Sequence, residues 1–593
     1  MSGLFVQAFN ALSSTILVNG ENGMPEFSTT SSNLLDLFTK LVRDLPDSEL
    51  NRLVAKCFSD IDKGDFKQLV DLFVLTFQTR DCRGGKGEKS LFQKLILILY
   101  KEYPETIISL LAEIPRFGYY KDLLNLHLVA DERLQRVIIQ LFANHLRDDH
   151  SKLLLSRRDG SVPELGFSAK YAPREGKQQF KLFFKQLVRE LFGKSCTAQK
   201  QYRNMIVELT AALQVPEVLM CADRFQDINF KNVPSQCLNR FRKAFLNELV
   251  VKKGKHADPL TYSEEETGNR HPNDPNRVLC RQNLKTSALT GKVNAKVLLP
   301  HELISKLFSS RPSSTDSSVF DAQWTKIREA VLEGIAKLND LPDPNSINLG
   351  KLVPLVDVSG SMDGTPMEVA IALGILVSEI SDPAFKDHFI TFETRPSWVS
   401  LKGINSIYDK VQKTKNAPWG GSTDFNAALE MILKVATDKK LSPDDIPDLI
   451  VFSDMQFNSA GRYSETMHDV ITRKFARAGM EICGKPYRAP KIIYWNLRGD
   501  TKGFPVQANT PNTQILSGFS PSLLKLLLNG ESMVQEQINP DGSITTTDIT
   551  PLQTLRNALD DPRYDPIRVI LSSSTERILS SFHFTPTDPS VDP

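Results

Sequence analysis

The sequence predicts two folds in succession, an all-helical, solenoid-like array followed by a doubly wound α/β domain with a mainly parallel sheet. Three observations support this prediction. Apolar residues recur at three- and four-residue spacing from about residue 32 to 250, as they do in amphipathic helices. Short apolar runs alternate with helical patterns from about residue 346 to 500. Several of these runs end in polar loops, and ligands bind at such strand ends in open α/β sheets.

The helical array is expected over residues 31–345, after an N-terminal segment of residues 1–30. Apolar stripes of helical spacing occur in residues 34–42, 69–76, 91–100, 106–114 and 132–146. Successive helices of this kind indicate a solenoid or a curved array, but the sequence has no clean period that would fix the number of repeats. Residues 254–290 are rich in Gly, Pro, Asn and charge, so we expect an exposed insertion there.

The α/β domain is expected over residues 346–530. Strands are predicted at residues 351–356, 388–393, 448–454 and 491–496, and helices at residues 367–380, 424–439 and 464–478. The first strand is apolar almost without interruption, which is typical of a parallel strand that helices cover on both faces. Residues 531–593 are expected to form a C-terminal extension and tail.

Oxygen-bearing side chains cluster in the loops that follow the predicted strands. Asp357, Ser359 and Ser361 come directly after the first strand, Thr423 precedes a predicted helix, and Asp454 ends the strand at 448–454. Carboxylates and hydroxyls are the ligands that Mg²⁺ accepts while it keeps several waters. Each residue alone also fits a helix cap or a turn. Their combination at strand ends predicts a Mg²⁺ or Mn²⁺ site.

This set of five residues resembles, in order and approximate spacing, the metal-ion-dependent adhesion site (MIDAS) of von Willebrand factor A (vWA) domains. In that family the first Asp and the two Ser approach the metal directly or through water, and the Thr and the later Asp alternate between the two modes. An acidic group of a partner protein commonly fills the open position. The resemblance therefore implies a vWA-like domain that binds a protein partner through its metal ion.

Charge is distributed unevenly although the net charge is only +2. Residues 151–300 contain 26 Lys and Arg against 14 Asp and Glu, which leaves +12 there and −10 in the rest of the chain. Such a basic face could neutralise RNA phosphates, whereas the alternative is a solvated helical surface that binds nothing in particular. The candidate RNA-binding residues are Lys170, Arg174, Lys177, Lys181 and Lys185, together with Arg83 and Lys86 in a glycine-rich loop.

The glycine-rich loop at residues 80–89 is not predicted to be a P-loop. Its Lys89 follows Glu88 rather than a glycine, and the preceding segment has a helical pattern instead of a strand pattern. ATP binding is therefore not expected. The glycines still suit a loop between helices that approaches phosphate with backbone amides and basic side chains.

A second resemblance rests on four segments of the helical half, residues 83–88, 114–124, 171–175, and 233–235 followed by 241–245. They look like a family of plant, fungal and viral proteins in which a helical half precedes a vWA-like half. That architecture is similar to the Ro autoantigen, whose helical TROVE ring binds structured and misfolded small RNAs. The resemblance implies a TROVE-like helical domain, and RNA binding as in a ribonucleoprotein by analogy of architecture and charge.

Catalysis is not expected. The nine histidines are scattered, and neither His-Glu-x-x-His nor Gly-x-Ser-x-Gly occurs. Seven widely spaced cysteines without a Cys-x-x-Cys pair indicate reduced thiols in a protein that is cytoplasmic, or cytoplasmic and nuclear. Neither a signal peptide nor a membrane span is expected. The expected function is metal-dependent partner binding with RNA binding; the alternative is an interaction scaffold with no nucleic acid role. The sequence does not identify the partner or the oligomeric state.

Overall fold

The computed structural model describes most of the chain in separate ranges. These ranges are residues 17–61, 66–248, 269–309, 314–338, 347–392, 395–418, 424–442, 445–458, 467–528 and 549–581, with the short stretches 312, 343–344, 535–538 and 544–547. No helix among these residues is both long and apolar enough to cross a membrane.

A short antiparallel hairpin, hereafter the N-terminal hairpin, precedes the helical half. Its strands are β1 (Leu17–Asn19) and β2 (Pro25–Phe27). The helices that follow are α1 (Asn33–Lys40), α2 (Asp47–Ile61), α3 (Phe66–Arg80), α4 (Lys89–Glu102), α5 (Pro104–Leu110), α6 (Ile114–Phe117), α7 (Tyr120–Val129), α8 (Glu132–Asp159), α9 (Ser168–Tyr171), α10 (Lys181–Phe192), α11 (Ala198–Ala212), α12 (Pro216–Cys221), α13 (Ser235–Phe245), α14 (Pro275–Leu289), α15 (Pro300–Ser309) and α16 (Ser314–Leu338). The predicted helical half is confirmed.

The longest of these helices shows how local signals set the boundaries. Asp131 caps α8 by accepting a hydrogen bond from the backbone N–H of Leu134 at 2.8 Å. The helix ends at Gly160, whose φ of +73° is a left-handed conformation that glycine adopts without strain. Leu134, Ile138 and Phe142 are buried at four-residue spacing, which explains the periodicity in the sequence.

The exposed insertion expected at residues 254–290 stays a prediction, and the structure describes residues 269–290 of this stretch. Helix α14 starts at Pro275, and Asp274 caps it by accepting from the backbone N–H groups of the first turn. Cys280, Leu284 and Ala288 lie four residues apart and are buried in an apolar cluster. The polar composition concealed an amphipathic helix with one apolar stripe. Residues 254–268 lie outside the described residues.

The second half contains a six-stranded sheet that helices cover. Its elements are β3 (Leu352–Val356), α17 (Thr365–Ile380), β4 (His388–Thr391), β5 (Trp398–Ser400), α18 (Ile407–Lys415), α19 (Phe425–Lys439), β6 (Asp448–Ser453), α20 (Met467–Cys483), β7 (Ile492–Asn496), β8 (Thr513–Ser517) and α21 (Lys525–Leu528). The C-terminal elements are β9 (Gln535–Ile538), β10 (Ile544–Thr547), α22 (Pro551–Leu559) and α23 (Asp565–Ser581).

The strand order of the sheet is β5-β4-β3-β6-β7-β8, in which only β5 pairs antiparallel. The order reverses between β3 and β6, so the crevice beside their carboxyl ends is the expected ligand position of a doubly wound fold. All residues of β3 are buried, and α17 packs closely on it because Gly374 has no side chain: a Cβ there would be 2.5 Å from Val356 Cγ2. The predicted α/β fold is confirmed.

The chain forms two compact units, each discontinuous in sequence. The first unit comprises residues 1–56, 82–88 and 214–558, and the second comprises residues 57–81, 89–213 and 559–593. The first unit therefore contains the N-terminal hairpin and helices α13 to α16 as well as the sheet. The domain boundaries given above from the sequence remain predictions.

Candidate metal centre

Asp357 lies one residue beyond β3, beside the neighbouring strand β6. Its backbone N–H donates to the carbonyl of Phe452 at 3.0 Å, which extends the parallel ladder by one residue. The carboxylate is completely buried, and its Oδ1 accepts from the backbone N–H of Ser359 at 2.9 Å. Its Oδ2 accepts from the hydroxyl of Ser453 at 2.5 Å. These contacts hold the carboxylate in one orientation at the carboxyl end of the sheet.

The two loop hydroxyls after Asp357 lie next to each other. Ser359 Oγ is 3.1 Å from Ser361 Oγ. Ser359 is buried and Ser361 is exposed, so the pair reaches from the buried carboxylate to the surface. A 3₁₀ turn at Gly360–Met362 then leads the chain into α17. The structure thus brings together three of the five residues predicted for the metal site.

Asp454 follows β6 and is also completely buried. Its Oδ1 accepts from the backbone N–H of Gln456 at 3.1 Å, whereas its Oδ2 has no hydrogen-bond partner among the described residues. Met455 has a φ of +67°, in the left-handed region that residues other than glycine rarely adopt. A buried carboxylate oxygen without a partner is costly, and a cation beside it would offset that cost.

The two buried carboxylates bring negative charge to the centre, and this affects the pKa of Asp357. Burial is the main cause that raises the pKa of Asp357 to about 6, and the negative charge of Asp454 raises it further. The hydrogen bonds from Ser453 and Ser359 oppose this shift because they stabilise the ionised form. Hard oxygen donors around two repelling carboxylates fit Mg²⁺ or Mn²⁺ rather than a softer metal.

Thr423, the fifth predicted residue, lies outside the described residues, within the stretch 419–423. Asp424, directly after it, caps α19 by accepting from the backbone N–H of Ala427 at 2.9 Å. Within the described ranges, no group of three or more His, Cys, Asp or Glu side chains could hold a metal ion. The centre proposed from Asp357 and Asp454 has only two carboxylates and relies on hydroxyl oxygens for the rest.

Arg498 borders the centre and was not singled out in the sequence. Its Nη1 donates to the backbone carbonyl of Ser361 at 2.9 Å, and its Nε donates to Asp500 Oδ1 at 3.0 Å. The guanidinium follows β7, so it lies at the same edge of the sheet as Asp357 and Asp454. Its position two residues after the predicted strand at 491–496 was the signal that could have found it.

The candidate RNA-binding residues belong to different compact units. Arg83 and Lys86 lie in the first unit, and Lys170, Arg174, Lys177, Lys181 and Lys185 lie in the second. Lys170 is partly buried, whereas the other four in the second unit are exposed. There is no ion pair between a described residue and Lys177, Lys181 or Lys185. The phenylalanines between them, Phe180, Phe183 and Phe184, are buried and therefore belong to the core.

Lys86 is enclosed rather than exposed. Its ammonium is fully buried and donates to the carbonyl of Phe38, to the carbonyl of Leu41 at 3.1 Å and to Ser517 Oγ. Burial lowers its pKa. In this arrangement all three N–H donors are used inside the protein, so Lys86 cannot contact a phosphate. Arg83 in the same loop is exposed.

Two family models match separate parts of the chain. A family model described as a domain of unknown function (DUF7788) matches residues 352–569. Another domain of unknown function (DUF2828) matches residues 20–138 and 131–249. The chain is 31% identical over 529 residues to uncharacterized protein L728 of Acanthamoeba polyphaga mimivirus. The matched region covers 86% of this chain and 84% of that protein.

Proposed function

We propose that this chain, which belongs to the family of proteins with DUF2828 and DUF7788 regions that includes the mimivirus protein L728, captures an acidic group of a protein partner through a divalent cation. The cation is Mg²⁺ or Mn²⁺, and the residues that would hold it are Asp357, Ser359, Ser361, Thr423 and Asp454. The unpaired, fully buried Oδ2 of Asp454 beside the carboxylate of Asp357 carries this proposal.

The chemistry of the donors favours binding over catalysis. Asp357 and Asp454 bring two negative charges, and the serine hydroxyls bring neutral oxygens. A bound divalent cation keeps an exchangeable water and attracts an incoming carboxylate. The exposed Ser361 marks the side from which a partner would approach. The order of the six strands, with its antiparallel edge strand β5, is additional support for a vWA-like domain.

Arg498 supports an acidic partner rather than a basic one. Its guanidinium lies on the carbonyl of Ser361, at the exposed end of the hydroxyl pair. A positive side chain at this position attracts an approaching Asp or Glu and repels Lys or Arg. Because the guanidinium is also paired with Asp500, we expect it to steer the partner more than to bind it tightly.

Affinity capture from lysate tests this proposal with the full-length chain. The wild type is compared with and without EDTA, and with the variants Ser359→Ala, Ser361→Ala and Thr423→Ala. A partner that depends on the metal should disappear in EDTA and in all three variants, as measured by mass spectrometry. Asp363→Ala is the matched control, since Asp363 is an exposed residue of the same loop. An identical set of captured proteins in every condition contradicts the proposal.

RNA binding is the second candidate function, and the exposed lysines of the second unit favour it. Lys177 precedes α10, and Lys181 and Lys185 lie on it, one turn apart. Unpaired ammonium groups in a row can release counterions from an RNA backbone. With this segment, the protein would have a Ro-like organisation, in which helices hold RNA and the metal centre recruits a protein. Without RNA binding, the chain is an interaction scaffold that uses the metal centre alone.

RNA binding measured over a salt series with the full chain distinguishes an RNA-binding protein from a scaffold without RNA binding. Each phosphate contact contributes about 0.7 to the slope of log affinity against log salt for a single strand. Changing Arg174, Lys177, Lys181 and Lys185 together to Ala should therefore lower the slope by up to about 3. If wild type and variant bind a single-stranded RNA equally at every salt concentration, this segment is not the footprint. If neither binds, the scaffold function stands.

A further inference from the structure

A cleft of about 250 Å³ opens on the first unit, between α16, the end of α17 and α18. The charged side chains in its lining are three positive and three negative ones, so their formal charges cancel: Arg328, Lys386, Lys410, Asp321, Glu379 and Asp387. Asp387 directly precedes β4, which is parallel to β3. The cleft therefore lies towards the amino ends of the strands, away from the candidate metal centre.

Glu379 is the anion that organises the cleft. Its side chain is 3% exposed, and it accepts from Trp324 Nε1 at 3.0 Å, from Lys410 Nζ at 2.7 Å and from Arg328 Nη1 at 3.3 Å. Because this carboxylate already has several donors, we do not expect it to bind a ligand. It holds the ammonium of Lys410 and the guanidinium of Arg328 in place at the cleft.

The positive side chains of the lining keep donors that the protein does not use. The guanidinium of Arg328 has five N–H donors, and among the described residues only Glu379 accepts from it. Lys386 is exposed and makes no ion pair with the part of the chain that the structure describes. These two groups can therefore bind a carboxylate of a ligand.

The negative side chains keep acceptor capacity in the same way. Asp387 Oδ1 lies 3.4 Å from Lys410 Nζ, which is a long contact. Asp321 Oδ1 accepts from the backbone N–H of Ile407 at 2.8 Å, and the hydroxyl of Ser406 donates to the same carboxylate. A carboxylate offers about four acceptor positions, so both groups can still accept from an ammonium group.

The backbone fixes Asp387 at the cleft. Its φ of +60° lies in the left-handed region, which Asp and Asn adopt more readily than most other residues. Its N–H donates to the carbonyl of Ser378 at 2.8 Å, and its own carbonyl accepts from the N–H of Leu401 at 2.7 Å. The carboxylate is thus held by the fold, and a ligand would not have to order it.

The charges and the size of the cleft define the ligand that fits. A simple anion would place its charge against Asp321 and Asp387, and a simple cation would meet Arg328 and Lys386, whereas a molecule with both charges satisfies both pairs. A water molecule takes about 30 Å³, so the cleft has room for roughly ten non-hydrogen atoms. Ile404 also lines the cleft and offers apolar contact.

We propose that this cleft binds a free α-amino acid with an uncharged side chain. Arg328 and Lys386 bind its carboxylate, and Asp321 and Asp387 bind its ammonium group. A charged side chain would add a charge that the balanced lining does not match, and a peptide terminus brings only one of the two charges. The cleft shares no residue with the candidate metal centre, so this inference does not depend on the proposed function.

Calorimetry with the full-length chain tests the ligand. The amino acids with uncharged side chains are titrated one at a time in the presence of EDTA, so that the metal centre plays no part. At least one should bind with a Kd between about 1 μM and 1 mM, as expected for a ligand of this size. Its analogues without the α-amino group or without the α-carboxyl group should each bind at least about tenfold more weakly, because each leaves charged groups of the cleft unpaired.

Two variants test the site, and each has a matched control. Arg328→Gln and Asp387→Asn should weaken binding of the amino acid about tenfold or more. Lys326→Gln, on the same helix as Arg328 but outside the lining, should stay within about twofold of wild type, as should Asp382→Asn in the loop before Asp387. Circular dichroism confirms that each variant is folded.

The analogues also separate binding from a purely structural effect. Arg328→Gln should reduce the preference for the amino acid over the analogue that lacks the carboxyl group, and Asp387→Asn should reduce the preference over the analogue that lacks the amino group. A general loss of stability would change neither ratio. The inference is overturned if wild type binds no amino acid more tightly than both of its analogues. It is also overturned if both variants keep wild-type affinities, since the amino acid would then bind elsewhere.

Discussion

The ammonium of Lys86 is bound by three oxygens at the end of α1 and at the end of β8. Two of its acceptors, the carbonyls of Phe38 and Leu41, belong to the last turn of α1 and the residue beyond it, where a positive charge also interacts favourably with the helix dipole. The third is Ser517 Oγ. The sequence predicts that this lysine of a glycine-rich loop contacts phosphate. In the structure it binds buried oxygens of the protein itself.

Substitution of Lys86 should therefore affect stability. Lys86→Met keeps most of the side-chain volume but removes a donor from three buried oxygens, of which the Phe38 carbonyl keeps the hydroxyl of Ser517; the change should cost about 2–4 kcal/mol in the free energy of unfolding. Arg83→Met, in the exposed neighbour of the same loop, should change it by less than about 0.5 kcal/mol. Urea unfolding of both variants measures this difference. Equal stabilities would contradict a structural role for Lys86.

His301 is a second residue whose charge state is fixed by its surroundings. It is 4% exposed, packs edge-on against Phe519 and lies near Arg43. Burial is the main cause that lowers its pKa to about 3, and the positive charge of Arg43 contributes. The folded protein therefore keeps His301 neutral at pH values where an unfolded chain would protonate it.

Acid should consequently destabilise the first unit through His301. Below its unfolded pKa of about 6.5 the unfolded state binds a proton that the folded state does not, so stability falls by about 1.4 kcal/mol per pH unit down to about pH 3. Between pH 7 and pH 5 this amounts to about 2 kcal/mol. His301→Gln should lack this contribution. The measurement is the urea midpoint of both proteins at the two pH values; the same pH dependence in both would exclude His301 as its source.

At the scale of elements, a buried ionic network joins α16 to α17 and α18. Glu379 on α17 accepts from Trp324 Nε1 at 3.0 Å and from Lys410 Nζ at 2.7 Å, and Arg328 lies 3.3 Å from the same carboxylate. Glu379 is 5% exposed, so its charge depends on these donors. The network explains how a helix of the first half belongs to the same compact unit as the sheet.

Removing the acceptor should break this network. Glu379→Ala leaves the ammonium of Lys410 buried with only a 3.4 Å contact to Asp387, and should cost about 3–5 kcal/mol. Glu329→Ala breaks the more exposed pair with Lys326 on α16 and should cost less than about 1 kcal/mol. Unfolding monitored by tryptophan fluorescence compares the two variants. Similar losses in both would show that the network does not stabilise the unit.

The strands that could be predicted from the sequence are those whose own residues show the pattern of a buried strand. Strands β3, β6 and β7 are nearly continuous apolar runs, as central parallel strands must be, and they were predicted within two residues. Strand β8 was not, because Gln514 and Ser517 are polar and become buried only through bonds to Thr554 and Phe38. Thr554 and Phe38 are distant from β8 in sequence, so a local pattern could not show that these polar residues are buried.

The same distinction applies to the candidate metal centre. Asp357 follows one predicted strand and Asp454 ends another, so their meeting at one edge of the sheet could be anticipated. The hydrogen bond from Ser453 to Asp357 and the position of Arg498 depend on which strands are neighbours.

At the scale of the whole molecule, the two compact units limit how the protein can be divided for experiments. The first unit comprises residues 1–56, 82–88 and 214–558, so a fragment limited to residues 346–530 would lack the N-terminal hairpin and the helices that pack with the sheet. Lys86 and Trp324 would both be missing from it. For this reason each experiment described above uses the full-length chain.

The most direct test of the metal centre is a calorimetric titration of the full-length protein with Mn²⁺. Wild type should bind one ion, Asp357→Ala should bind none, and Asp363→Ala should bind as wild type does, because Asp363 lies beyond the hydroxyl pair in the same loop and is exposed. Circular dichroism spectra of the three proteins confirm that the fold is retained. Unchanged Mn²⁺ binding in Asp357→Ala would contradict the account and place any metal site elsewhere.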